Sequence, residues 1–191
     1  VLRHPHNEYK DLDIRSGDIV LDAGGHIGAF TWFALQRGAA LVHSYEPEPG
    51  NFVFLQRNFV DDERAVLHKL ALMRDDGEID FFLGPTDTSG YSAFVHGKRK
   101  LIKVKAVSFQ RVLEEVQFNV VKLDIEGAEY EVPLEFPKSV RSLAIEFHLN
   151  KKMWRAFAPL LVEKIEAQGF KPTRAPVTND KRWDTVGIWR R

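Results

Sequence analysis

Cysteine is absent from the 191 residues, which excludes disulfides and thiolate metal sites and leaves the redox compartment unread. Net charge is missing too. The 27 Lys and Arg balance 27 Asp and Glu, so no global field draws the chain to nucleic acid or to a membrane surface. No apolar run is long enough to span a bilayer and no signal-peptide pattern is visible, so a cytoplasmic chain with no membrane partner is expected. It begins at Val1 rather than methionine, as a trimmed or excised piece would. Repeats and linker-like stretches are also lacking. What remains, 44% apolar and 28% charged residues, suits one globular domain over residues 1–191 with a full core.

Short apolar runs alternate with helical spacing along most of the chain. Ile19-Val20-Leu21 follows Ser16-Gly17-Asp18 and reads as a strand buried on both faces. Ile27, Phe30, Thr31, Ala34 and Leu35 mark one face of a helix to about Arg37, stopped by Gly38. Leu41 to Tyr45 is a second strand, Phe52 to Asn58 a helix, and Ala65 to Leu72 a third strand. Gly77–Leu83 and Leu101–Val107 then read as two strands around a Gly/Ser/Thr-rich loop at 84–92. Ser108 is expected to cap a helix to about Val116. Phe118–Ile125 is a strand, and a helix is expected from about Ala128 to Pro137. Val140–Phe147 is another strand, Lys152–Gln168 an amphipathic helix ended by Gly169, and the tail carries two further strands. The alternation predicts an α/β fold.

The first strand runs into Asp22-Ala23-Gly24-Gly25-His26-Ile27-Gly28, and the second ends in Tyr45-Glu46-Pro47. Glycines at a strand-to-helix turn let backbone approach a ligand closely, and an acid closing the next strand can accept ribose hydroxyls. No Lys-Ser/Thr follows the turn, which argues against a triphosphate loop. The Asp-x-Gly-Gly-x-x-Gly spacing also departs from the turn that seats a pyrophosphate. S-adenosylmethionine carries no phosphate but has an ammonium and a sulfonium, which Asp22 suits; a nicotinamide cofactor is the competing reading. A third is that Gly24, Gly25 and Gly28 only let a helix pack closely on a strand.

Two later strands carry charge where a central strand should be apolar. In Val120-Val121-Lys122-Leu123-Asp124-Ile125-Glu126-Gly127, Lys122 and Asp124 share a face and Glu126 follows at the strand end. In Ser142 to His148, Glu146 and His148 share a face likewise. Adjacent parallel strands would gather these groups at the carboxyl edge of the sheet, where open α/β sheets bind ligands. A buried Lys122–Glu146 ion pair with no further role is the alternative. Glu129 could serve only to offset a helix dipole.

These segments together resemble the FkbM family of S-adenosylmethionine-dependent methyltransferases. The matching pieces are Asp22 to Gly28, Tyr45-Glu46-Pro47, Asn58, and above all Lys122-Leu123-Asp124-Ile125-Glu126-Gly127-Ala128-Glu129, within a likeness from about Gly17 to His148. Gly25 and His26 stand where the family's turn usually has alanine and asparagine. The resemblance implies a Rossmann-like class I methyltransferase sheet of about seven strands, its last strand antiparallel, with helices on both faces. It also implies methyl transfer from S-adenosyl-L-methionine to a hydroxyl of a sugar or small metabolite.

On that reading Glu46 holds the ribose, the 24–28 turn including His26 seats the methionine portion, and Asp22 lies near its amino group. Pro47 belongs to the same cofactor edge, Ala71 and Leu72 flank the adenine, and Asp124 borders the cofactor. Asp124, Glu126, Glu146 and His148 are the candidate bases, with Lys122 orienting them. No metal is expected: His4-x-His6 lacks a third ligand, and Asp124, Glu126 and Glu129 could bind a hard cation but have no spacing that demands one. The 84–92 loop is expected to meet the acceptor or close over the cofactor, and Asn7, Glu8 and Tyr9 to cover the cofactor from outside. Lys98-Arg99-Lys100 reads as a solvated turn, and Trp154, Trp183 and Trp189 as packing residues. The acceptor partner is a small molecule or glycan. Alternatives are an RNA 2′-O-methyltransferase, which the balanced charge disfavours, and a domain of the same fold without catalysis.

Overall fold

The computed structural model describes residues 8–83, 100–149, 151–177 and 184–191. The strands in chain order are β1 (Ile19–Ala23), β2 (Leu41–Tyr45), β3 (Ala65–His68), β4 (Ala71–Met73) and β5 (Gly77–Leu83), then β6 (Lys100–Ser108), β7 (Val120–Leu123), β8 (Ser142–Phe147), β9 (Lys171–Arg174) and β10 (Thr185–Arg190). The helices are α1 (Ala29–Gln36), α2 (Pro49–Asn58), α3 (Phe109–Glu115) and α4 (Lys152–Ala167).

Seven strands form one sheet in the order β3-β2-β1-β7-β8-β10-β9. Pairs from β3 through β8 are parallel, and β10 runs antiparallel to both of its neighbours. This is the sheet that the family resemblance implied, including the reversed last strand. Side chains alternate between its faces. Leu21, Ala23, Val121, Leu123, Leu143 and Ile145 pack with α3 and α4, while Val20, Val42, Val120 and Ala144 pack with α1 and α2. The strand order reverses between β1 and β7, the place where such sheets open a crevice beyond their strand ends.

Three elements differ from the sequence reading. Residues 65–72 form two strands, not one: β3 closes the main sheet, and β4 joins β6 and β5 in a separate three-stranded sheet. The helix expected from Ala128 is a single 3-10 turn, Ala128–Tyr130. Pro133 disfavours helical backbone at Val132 and supplies no N–H, so the chain leaves the helix there. Helix α1 begins at Ala29 rather than Ile27, because His26 and Gly28 hold left-handed backbone at φ 50° and 96°. Ser108 caps α3 as expected, accepting from the Arg111 N–H. No helix among the described residues is long and apolar enough to cross a membrane.

Candidate functional site

A cavity opens at the switch between β1 and β7. Gly24 and His26 line it from the first turn, and Tyr45, Glu46, Pro47 and Asn51 from the end of β2 and the start of α2. Leu70 to Met73 form one wall, with Ile79 and Phe81 of the small sheet above them. Asp124, Ile125, Glu126 and Ala128 close the side beyond β7. One end is therefore apolar and the other acidic.

The first turn brings backbone to the cavity. The Gly24 and Gly25 N–H groups both donate to Tyr45 O, at 3.0 and 2.9 Å. Gly24 has φ 83°, and a Cβ there would sit 1.8 Å from the Asp124 carbonyl oxygen. Gly25 and Gly28 do not line the cavity; their hydrogens face Ser44, and Leu55 and Phe59. Those two glycines meet a packing requirement, whereas Gly24 also lines the cavity. His26 takes its left-handed conformation as one of the few side chains enriched there. Asn58 fastens the turn by donating to Ile27 O at 2.8 Å.

Glu46 is buried, and its two oxygens each accept one backbone N–H. Oε2 takes that of His26 and Oε1 that of Glu48, both at 2.8 Å. Burial pushes its pKa up to about 7, and the two N–H donors oppose that rise. Asp22, expected near an amino group, is instead wholly buried beneath the turn and outside the cavity wall. It accepts from Thr31 Oγ1 at 2.7 Å and pairs with Lys122 Nζ at 3.3 Å.

Lys122 does not form the ion pair that stood as the alternative to a site. Its ion pairs are with Asp22 and with Asp124 Oδ2 at 3.4 Å, and not with Glu146. Nζ also donates to Gly24 O at 2.7 Å and Ala23 O at 3.3 Å. Burial would lower its pKa, but Asp124 and Asp22 reverse that and hold it charged. Glu146 neighbours Asp124, and each carboxyl shifts the other's pKa. Burial first and the Asp124 charge second raise the Glu146 pKa to about 8. Burial also works to raise Asp124, and Lys122 and His148 outweigh it, so its pKa is lowered. Burial and the neighbouring charge thus favour the protonated form of Glu146, while Lys122 and His148 favour the ionised form of Asp124.

His148 is buried behind Asp124 and Glu126. Its Nδ1 lies 2.8 Å from Glu129 Oε1, and Nε2 lies 3.4 Å from Glu126 Oε2 and 3.9 Å from Asp124 Oδ1. Burial would lower its pKa, yet Glu129, Glu126 and Asp124 raise it well above the usual value. Glu129 is fully buried, and a reading of it as a dipole-compensating acid understates its place: it also accepts the Gly127 and His148 backbone N–H groups. The signal for it in the sequence was the last residue of the Lys-x-Asp-x-Glu-Gly-x-Glu string. Glu126 holds left-handed backbone, φ 55°, which turns the chain as it leaves β7.

Ala71, Leu72 and Pro47 line the cavity where expected. Tyr9, expected over the cofactor, is buried edge-on against Phe30 at 5.0 Å and outside the cavity wall. Trp154 and Trp189 are core residues, and Lys103 pairs with Asp80 at the surface. His4, His6, Asn7, the 84–92 loop, Lys98, Arg99 and Trp183 lie outside the described residues.

Comparison with known proteins points one way. The methyltransferase FkbM domain family matches residues 22–172. The chain is 27% identical over 124 residues to 31-O-demethyl-FK506 methyltransferase FkbM of Streptomyces tacrolimicus, covering 63% of this chain and 48% of that protein. It therefore spans about half the length of the curated relative it matches. Among solved structures, methyltransferase FkbM of Methylobacillus flagellatus superposes with TM-score 0.63 at 18% identity, over 99% of this chain and 48% of that one. A Streptococcus mutans protein solved in complex with SAH shares the fold at TM-score 0.55 and 10% identity, over 100% and 99% of the two chains. The chain belongs to the FkbM methyltransferase domain family.

Proposed function

We propose, with that family membership as the premise, that this chain transfers a methyl group from S-adenosyl-L-methionine to a hydroxyl oxygen of a sugar or small metabolite. The observation that carries this reading is the cavity itself, with Glu46 on one side, apolar Leu72 and Phe81 on another, and Asp124 and Glu126 at its end. An anion-seating loop would present donors there; this cavity presents carboxylates, which suit a cationic donor.

Glu46 holds the ribose hydroxyls on the lone pairs left over from its two N–H contacts. Ala71, Leu72, Ile79 and Phe81 enclose the adenine, and Gly24 lets backbone come against the methionine portion. Asp22 acts from below as a positioning residue, by fixing Lys122 and through it the Gly24 carbonyl. The donor, when bound, supplies an electrophilic methyl on a sulfonium. Asp124 and Glu126 face the acceptor, and Glu126 takes the proton that its hydroxyl gives up. Holding the oxygen in line at contact distance can contribute about 7–11 kcal/mol of barrier lowering.

Calorimetry with S-adenosylhomocysteine and labelled-donor assays on a panel of sugars and hydroxylated metabolites test this. Binding lost in Glu46→Ala, and turnover lost with binding retained in Glu126→Ala, are the expected results. Binding without turnover on any acceptor would leave a non-catalytic domain of the family. Methylation of RNA with a steep salt dependence would move the acceptor to a ribose 2′-hydroxyl. Absence of donor binding at millimolar concentration would end the proposal.

A further inference from the structure

We propose that Asp124, Glu126 and His148 form a binding site for one divalent cation, Mn²⁺ foremost, at the acidic end of the cavity. One ligand atom from each residue lies within 4.8 Å of the other two. His148 Nε2 is 3.4 Å from Glu126 Oε2 and 3.9 Å from Asp124 Oδ1. An ion about 2.1 Å from each ligand places adjacent donors about 3 Å apart and opposed donors about 4.2 Å apart. Both histidine-to-carboxylate separations fall between those limits, and the two carboxylates lie within 4.8 Å of each other.

A second observation comes from behind the cluster. Glu129, wholly buried and outside the cavity wall, accepts from His148 Nδ1 at 2.8 Å and from the His148 backbone N–H at 3.0 Å. Its other oxygen is held by the Gly127 N–H at 2.8 Å. A carboxylate on Nδ1 fixes the ring and presents Nε2 to the two acids, which is how a metal-ligating histidine is ordinarily supported. A positive charge belongs at that position. A proton fills it with one bond, whereas a divalent ion meets all three donors. Two carboxylates with one imidazole, in a chain without cysteine, favour a hard-to-borderline ion over a thiophilic one.

His148 is also within reach of Glu146 and Asp184. Asp184 and Glu146 lie outside the cavity wall, whereas Asp124 and Glu126 line it, so the first set is the one assigned. Asp124 and Glu126 line the cavity, which leaves ion positions on the acceptor side. Neighbouring hydroxyls, as on a sugar or polyol, would fill two of them. That acceptor class rests on the methyl-transfer reading; the cation site does not. A carboxylate bound through one oxygen retains the other for the proton.

The test is titration of the chelator-stripped chain with Mn²⁺, followed by the electron paramagnetic resonance of free Mn²⁺, with circular dichroism to confirm folding. One ion per chain, displaced by excess Mg²⁺, is expected. Glu126→Gln should weaken uptake at least about tenfold and Glu129→Gln about 10–100-fold, while Asp62→Asn, in a surface pair with Arg64, should change nothing. No uptake by the folded wild-type chain at millimolar Mn²⁺, with or without S-adenosylhomocysteine, overturns the site. So does uptake that Glu126→Gln and His148→Ala leave unchanged. S-adenosylhomocysteine binding is measured on the same stripped protein; Mn²⁺ uptake without it upholds the cation site and removes the methyl-transfer reading.

Discussion

Lys122 and Asp22 stand directly opposite one another on the parallel pair β7 and β1, and their side chains meet 3.3 Å apart with 4% and 0% of their surface exposed. Two strands far apart in sequence are thus joined beneath the cavity floor by one charge pair. Lys122 also donates to the Gly24 carbonyl, so the pair fixes the turn that lines the cavity.

Removing one member should be costly, because the other is left charged and buried. Lys122→Met is expected to lower stability by about 3–5 kcal/mol, read from urea unfolding. Lys122→Met with Asp22→Asn should recover part of that loss. If the double variant is less stable than the single one by the full cost of Asp22→Asn alone, the two residues are not coupled.

Gly24 and Gly17 separate steric clash from backbone strain. Both hold left-handed backbone, at φ 83° and 89°, but a Cβ at Gly17 meets nothing within 4 Å. Gly17→Ala should cost about 1–2 kcal/mol through conformation alone. Gly24→Ala should cost more and weaken S-adenosylhomocysteine at least about tenfold, since the methyl meets the Asp124 backbone. This order is checked by thermal unfolding and calorimetry side by side.

Glu46 predicts a pH dependence. Its pKa rises from 4.5 to about 7 on folding, so the folded chain keeps a proton that the unfolded chain has released. Its contribution to stability is full below about pH 4.5 and is lost as pH rises through about 7. Ribose hydroxyls donate to the ionised form, so ligand binding should run the other way. S-adenosylhomocysteine should bind about tenfold more weakly at pH 6 than at pH 8. Glu46→Gln should bind weakly at both and abolish the slope; an unchanged slope would assign the titration to another group.

Phe81→Leu tests the apolar wall independently. Affinity should fall several-fold while the pH slope set by Glu46 remains. A variant with unaltered affinity would place the adenine elsewhere.

The glycine turn, Glu46 and the α/β alternation were legible because each is written in neighbouring residues, whereas the strand count and the reversed last strand came from the family resemblance. The partners of Lys122 were not. They depend on β7 lying beside β1, and Asp22 reaches Lys122 only through that register. The division of residues 65–72 was hidden for a similar reason: Val66, Leu67, Leu70 and Leu72 look alike as apolar positions, although the first two belong beside β2 and Leu72 faces β6. The failed helix after Ala128 was visible in principle. Val132, Leu134 and Phe136 alternate with period two rather than at helical spacing, and Pro133 disfavours helical backbone at Val132.

The small sheet of β4, β6 and β5 touches the cavity through Leu72, Met73, Ile79 and Phe81, whereas Glu46, Gly24 and Asp124 belong to the main sheet's edge. Grip and enclosure are therefore assigned to separately built parts. The enclosing part can be exchanged or reshaped to admit a bulkier guest without disturbing the polar anchors, which makes it the natural place to redesign selectivity.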